Sequence, residues 1–102
     1  MDAYINVAGG MRIYEPALDL AIVLAILSSY KNKELDSKTI CFGEVGLTGE
    51  VRAVNMAEQR VIEAAKMGYE VCILPQVNKE TIKNAKIKLI GIRNIREIFS
   101  LL

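Results

Sequence analysis

Three groupings of side chains in this 102-residue chain have types and spacing that could do chemistry. The first is a pair of acids in an echoed tripeptide, Gly43-Glu44-Val45 and Gly49-Glu50-Val51, which suggests two carboxylates facing one substrate. Thr48-Gly49 reads as a two-residue hairpin turn, setting Leu47 opposite Glu50 and Glu44 opposite Ala53. Side chains alternate with period two along a strand, so this register sends the acids to opposite faces. It leaves Glu50 and Arg52 together on a solvated one. The second grouping is nucleophilic. The chain has no histidine, which excludes Ser-His-Asp and Cys-His sites and leaves a serine–lysine dyad to consider. A dyad needs a hydroxyl beside an amine kept neutral in a partly desolvated cleft. Ser28 and Ser29 end an apolar run, Ser37 lies in a polar loop, and Ser100 stands two residues from the last. None opens a helix, where backbone amides could hold an oxyanion. Asp19, alone in the apolar run, is either a buried functional acid or a local partner of the helix start.

The third grouping is basic. Through Pro75 the chain has seven basic and ten acidic residues; from Gln76 on it has six basic and two acidic. The six are Lys79, Lys83, Lys86, Lys88, Arg93 and Arg96, and Arg52 is a weaker seventh candidate. Lys79, Lys83 and Lys86 are spaced four and three, which places them on one face of a helix. Such a face is either simply solvated or a phosphate-contacting surface without base specificity. No aromatic residue interleaves them, so stacking on single strands is not indicated. Gly9-Gly10 lacks the pattern that cradles triphosphates, and no cofactor or metal site is expected. Cys41 and Cys72 form no Cys-x-x-Cys pair and read as buried free thiols of a cytoplasmic protein.

These groups need elements to position them. Apolar residues make up 52% and net charge is +1, which excludes disorder and any global attraction to nucleic acid or membrane. The alternation Tyr4-Ile5-Asn6-Val7-Ala8 predicts a strand, followed by a helix opened by Glu15-Pro16. Residues 20–27 are apolar on every side, which predicts a helix buried all round or held at a subunit contact. The helix ends in the polar link Lys31-Asn32-Lys33. Residues 39–45 predict one strand and residues 50–54 its hairpin partner. Asn55 with Glu58 predicts a capping box on a helix whose small face is Ala57, Val61, Ala64 and Ala65, closed by Gly68. A strand over residues 71–74 ends at Pro75, Asn78 opens a third helix, and residues 87–92 form another strand. Asn94 with Glu97 caps a last helix. Strands alternating with helices predict one α/β domain over residues 1–102 with a partly parallel, mixed sheet. No run approaches the ~20 apolar residues that span a bilayer.

The motifs Val7-Ala8-Gly9-Gly10-Met11-Arg12-Ile13, Glu15-Pro16-Ala17-Leu18-Asp19-Leu20-Ala21 and residues 42–52, with Glu58-Gln59-Arg60, Glu63-Ala64-Ala65-Lys66-Met67-Gly68-Tyr69 and Ile73-Leu74-Pro75, resemble the carboxyl-terminal domain of the RadA (Sms) family of bacterial DNA repair proteins. The resemblance covers nearly the whole chain. It implies a fold like the proteolytic domain of Lon protease, whose active site is a serine–lysine dyad. Lon-type enzymes carry the serine in Gly-Pro-Ser-Ala-Gly; here Glu15-Pro16-Ala17-Leu18-Asp19 puts Ala17 at that place. Counted from the Thr48-Gly49-Glu50-Val51 hairpin, their lysine falls on Glu58. Neither residue can do the chemistry, so the resemblance implies a pseudo-protease. It further implies homo-oligomeric, hexameric rings on DNA and places the zinc module and ATPase of that family outside this chain. The match starts midway through the Lon-like domain, which is the expectation of a fragment or a reduced relative with an uncovered face. The expected role is a non-catalytic scaffold for ring assembly and DNA contact. The alternatives are a small Lon-like serine peptidase and an oligomerisation module with no DNA role.

Overall fold

A computed structural model describes residues 4–7, 11–14, 16–31 and 37–101. In chain order its elements are strands β1 (Tyr4–Val7) and β2 (Met11–Tyr14), a 3-10 turn (Pro16–Leu18), helix α1 (Asp19–Tyr30), and strands β3 (Thr39–Cys41), β4 (Glu44–Val45) and β5 (Val51–Arg52). Helix α2 (Ala57–Lys66), strand β6 (Val71–Pro75), helix α3 (Gln76–Lys79), strand β7 (Lys88–Ile92) and a 3-10 helix (Ile95–Ser100) complete it. The class is α/β, as the alternation of periods predicts. Gly9-Gly10, Glu15 and the Asn32-Lys33 link lie outside the described residues.

β3, β6 and β7 form a parallel sheet in the order β3-β6-β7, with Cys41 opposite Ile73 and Ile73 opposite Ile90. The period of two along β6 divides the interior. Ile73 joins Leu20, Leu24, Val51, Ile92 and Ile98 in one core, under α1 and the last 3-10 helix. Cys72 and Leu74 join Phe42, Ala57 and Val61 in the other, under α2. Burying a leucine or isoleucine contributes about 1.5–3 kcal/mol relative to exposing it, so both faces of β6 hold the layers together.

Several sequence expectations need correction. A second strand, β2, pairs antiparallel with β1 before any helix begins, with Val7 opposite Met11. Pro16 opens a 3-10 turn, and α1 itself starts at Asp19. α1 is not buried all round: Leu20 and Leu24 meet the core, while Ile26 is 41% and Tyr30 86% exposed. The strand expected over residues 39–45 breaks at Phe42-Gly43, where the chain leaves the parallel sheet for the β4–β5 pair. The break is held by backbone bonds: Phe42 N donates to Ile73 O at 3.1 Å, Gly43 N to Ala17 O at 2.7 Å, and Leu20 N to Gly43 O at 2.9 Å. A Cβ on Gly43 would lie 3.1–3.3 Å from Leu20 and Val51 side chains, so a larger residue at this crossing would make both give by a few tenths of an ångström.

α2 buries Ala57, Val61 and Ala64 as the small-residue face predicts, and Gly68 follows it at φ 94°, a left-handed conformation that favours glycine. Its start has no capping box. The N-cap is Met56 at φ 58° with no side-chain bond, and Asn55 contributes its carbonyl to Arg60 Nε at 3.1 Å. The Asn94–Glu97 box is present as expected: Asn94 Oδ1 accepts from Arg96 N at 3.0 Å, and Glu97 Oε2 from Asn94 N at 2.8 Å.

The third helix is cut to four residues. Thr81 sends both its N–H (3.1 Å) and its hydroxyl (2.9 Å) to Asn78 O, closing a turn where a longer helix would continue. Asn84 then takes φ 60°. Asn78, inside α3 and not ahead of it, ties the chain before α2 to this turn. Its Oδ1 accepts from Val54 N at 2.9 Å and its Nδ2 donates to Val54 O at 3.3 Å. The cysteines are free thiols on neighbouring strands, Cys41 packed toward one core and Cys72 in the other. Cys72 is buried and Cys41 half-buried, and burial pushes both thiols up to about 12.

Candidate functional site

Ala17 sits in the 3-10 turn, 4% exposed, with its carbonyl committed to Gly43. Glu58 lies in the first turn of α2 and is exposed. Ser28 and Ser29 fall in the last turn of α1, next to Lys31, whose Nζ lies 5.0 Å from the centroid of the Phe99 ring. Asp19 makes a tertiary contact and not the expected local one: its Oδ2 accepts from Val45 N at 3.2 Å, linking the start of α1 to β4.

The two hairpin acids do converge, contrary to the expected register. Gly46 N donates to Glu50 O at 2.9 Å, so the loop is the three residues Leu47, Thr48 and Gly49, with Gly49 at φ 85°. One extra loop residue shifts the pairing by one and puts Glu44 opposite Arg52. Glu44, Glu50 and Arg52 now share a face. Arg52 Nη1 is 3.7 Å from Glu44 Oε1 and Nη2 is 3.7 Å from Glu50 Oε2. Glu50 also accepts from Thr48, from its N–H at 3.1 Å and its hydroxyl at 3.0 and 3.1 Å. A Cβ on Gly46 would run into that carboxylate, so glycine makes room for it. The Thr48 backbone bond, then its hydroxyl, and more weakly Arg52, hold Glu50 below its ordinary 4.5. A general acid needs the opposite shift. The cluster is an ion-paired hairpin clasp, and it occupies Arg52 with two carboxylates.

The remaining cations do not share one helix face, because α3 stops at Lys79. Lys88 begins β7 and is exposed. The Lys79 stem crosses Gly91, where a Cβ would stand 3.0 Å from Lys79 Cδ. Arg93 follows β7 and reaches Glu80 at 3.8 Å between exposed groups, a weak pair. Arg96 Nε donates to Asn94 Oδ1 at 3.3 Å. These four therefore follow the outer strand of the parallel sheet and the turn beyond it.

Lys83 and Lys86 go elsewhere. They line a groove of about 520 Å³ between α2 and residues 82–86. Its floor is apolar, from Val61, Ile62, Ala65 and Ile82, and Lys66 and Glu58 stand on the α2 side. The sequence reading missed Lys66 and Ile62. The signal was there: Ile62 lies off the Ala57, Val61, Ala64 stripe and is 44% exposed. Among the described residues, no group of three or more His, Cys, Asp or Glu could hold a metal ion, and no helix is long and apolar enough to cross a membrane.

Comparison with known proteins follows the same outline as the motifs. The family described as subunit ChlI of Mg-chelatase matches residues 2–78. A protein named DNA repair protein RadA from Bacillus subtilis (strain 168) is 48% identical over 97 residues, covering 94% of this chain and 21% of the relative. One of the same name from Streptococcus pneumoniae (strain ATCC BAA-255 / R6) is 46% identical over 98 residues, 95% of this chain and 23% of the relative. Another from Aquifex aeolicus (strain VF5) is 47% identical over 75 residues, 74% of this chain and 17% of the relative. The resemblance read from the sequence is thereby borne out, and the chain spans about a fifth of the length of the curated relatives it matches.

Proposed function

The chain belongs to the family described as subunit ChlI of Mg-chelatase, and from that membership together with its RadA-named relatives we propose that it is a non-catalytic, Lon-like scaffold module of a RadA-type DNA repair protein, contacting DNA and supporting ring assembly in the cytoplasm. The observation that carries the DNA part is the run of cations along β7: Lys88 at its start, Lys79 across Gly91, Arg93 and Arg96 past its end. Five residues of strand extend about 17 Å. Duplex DNA carries a charge every ~1.7 Å of axis, so several phosphates fall within that reach. Contacts of this kind position a nucleic acid without reading its bases. Arg52 is left out of the set, because it faces two carboxylates, Glu44 and Glu50, each 3.7 Å away.

Loss of catalysis rests on Ala17 and Glu58: a methyl group is no nucleophile, and a carboxylate is no amine base. Ala17 is also packed away from solvent. Assembly is supported by the outer face of α1, where Ile26 and Tyr30 are exposed. The module needs no cofactor for either task.

Anisotropy of labelled single- and double-stranded DNA across a salt titration tests the reading. Binding should weaken with salt with a log–log slope of about −3 to −4 for four phosphate contacts. Lys88→Ala and Arg96→Ala should each reduce that slope by about 1. Absence of binding at low salt would overturn DNA contact and leave assembly as the role. Peptide hydrolysis abolished by Ser28→Ala or Ser29→Ala would overturn the non-catalytic reading.

A further inference from the structure

The groove between α2 and residues 82–86 has features that phosphate contact does not use. Ile62 and Ile82 give it an apolar floor, and Ile62 keeps 44% of its surface exposed on a helix whose core-facing stripe runs elsewhere. A solvated helix face carries polar residues at such a position. Lysines stand on both walls: Lys66 on α2, with Lys83 and Lys86 opposite. Among the described residues, Lys66 has a marginal partner, Glu63 at 4.0 Å, with both side chains largely exposed. One acid, Glu58, shares the groove, so its charged groups sum to a cationic site. A sugar–phosphate backbone gains nothing from an apolar floor, which an apolar side chain of a peptide would cover.

We propose that this groove docks an acidic peptide segment of a partner protein. The segment lays a bulky apolar side chain on Ile62 and Ile82 and sets carboxylates against Lys66, Lys83 and Lys86. The occupant is fixed by charge complementarity together with the apolar floor: burial of the anchor supplies affinity, and the lysines select the sign of the flanking charges. At about 520 Å³ the groove lies within the usual ~300–1,000 Å³ of ligand clefts. It goes beyond the DNA reading, whose cations follow β7.

The probe is a fluorescein-labelled peptide of glutamates with two leucines four residues apart, followed by anisotropy at low salt. Two controls replace the leucines with serine or the glutamates with lysine, and a labelled single-stranded oligonucleotide is run beside them. The leucine–glutamate peptide should bind, and both control peptides should bind at least about tenfold more weakly. Ile62→Ser, and Lys83→Glu with Lys86→Glu, should each weaken it by a similar factor. All three positions are exposed, and a circular dichroism melt checks that the fold is kept. Equal binding of the serine peptide would reduce the site to surface charge and overturn the proposal. So would no binding of the acidic peptide, or oligonucleotide binding that is lost in the lysine variants while the peptide is indifferent to them.

Discussion

Two copies of the pattern Asn-x-x-Glu occur in this chain, at 55–58 and 94–97, and only the second is built as a capping box. Stability should therefore respond to one and ignore the other. Asn94→Ala frees the Arg96 N–H from its 3.0 Å acceptor, a loss of about 1 kcal/mol within a range of ~0.5–2. The helix it caps carries Ile98, fully buried in the core under α1, so fraying there is felt in the interior and the loss belongs in the upper half of that range. Glu97→Ala frees two donors, Arg93 N at 2.6 Å and Asn94 N at 2.8 Å, both exposed enough for water to replace part of the loss. About 1 kcal/mol is expected there too. For a chain of 102 residues this is roughly 4–8 °C in Tm per kcal/mol. Asn55→Ala and Glu58→Ala should stay within about 0.5 kcal/mol. Circular dichroism melts and guanidinium titrations of the four variants, with the Asn94/Glu97 double variant, measure all of this. The box predicts a coupling of at least about 0.5 kcal/mol between its two members. Asn55→Ala costing as much as Asn94→Ala would refute the reasoning.

The remaining predictions concern titration and thiol access. Glu50 has a folded pKa depressed below 4.5, so the stability it contributes is present above 4.5 and is lost as pH falls toward the folded value. Glu50→Gln should make the acid limb of a stability–pH curve shallower below 4.5. Thr48→Val removes the hydroxyl but keeps the backbone donor, so the Glu50 midpoint in a carbon-13 titration should rise part of the way; an unchanged midpoint would count against the hairpin geometry. Cys41 and Cys72, with thiols pushed up to about 12, should resist a disulfide reagent at pH 8 in the folded chain and both react in guanidinium. Fast reaction of either in the native state would contradict the burial described for β3 and β6.

What was legible in the sequence followed from patterns that tertiary packing reinforces. The α2 stripe of Ala57, Val61 and Ala64, the β6 run ending at Pro75 and the Asn94–Glu97 box agree with the fold because local preference and core placement point the same way. The failures have specific causes. Choosing a two-residue loop over the three residues ending at Gly49 moved the register by one and reversed the faces of Glu44 and Glu50. Asn55 has the composition of a cap, but Asn78 pins the preceding residue, Val54, through two bonds, and the chain reaches α2 through a left-handed Met56. No reading of residues 55–58 alone contains that constraint. Lys79, Lys83 and Lys86 have helical spacing, yet Thr81 turns the chain back onto Asn78 O before a second turn can form. The lysines thus fall in two regions, on either side of that turn. Ala17 and Glu58 were assigned by likeness to a family, and the structure adds that Ala17 is packed against the Gly43 crossing.

The alternation along β6 has a consequence for how the molecule comes apart. Cys72 and Leu74 belong to one core and Ile73 to the other, so neighbouring peptide groups of a single strand are shared property of two interiors. Neither interior can open by itself without losing the strand that lines it. The two should therefore melt as one cooperative unit, with the β6 amides exchanging with solvent only through global opening. Val51 of β5 and Ile82 pack into that unit, whereas the exposed hairpin tip at Leu47 and Thr48 and residues 83–86 stand outside it and can fluctuate at lower cost. Motions of the lysine-bearing rim of the groove and of the Leu47–Thr48 tip are then separable from the integrity of the sheet.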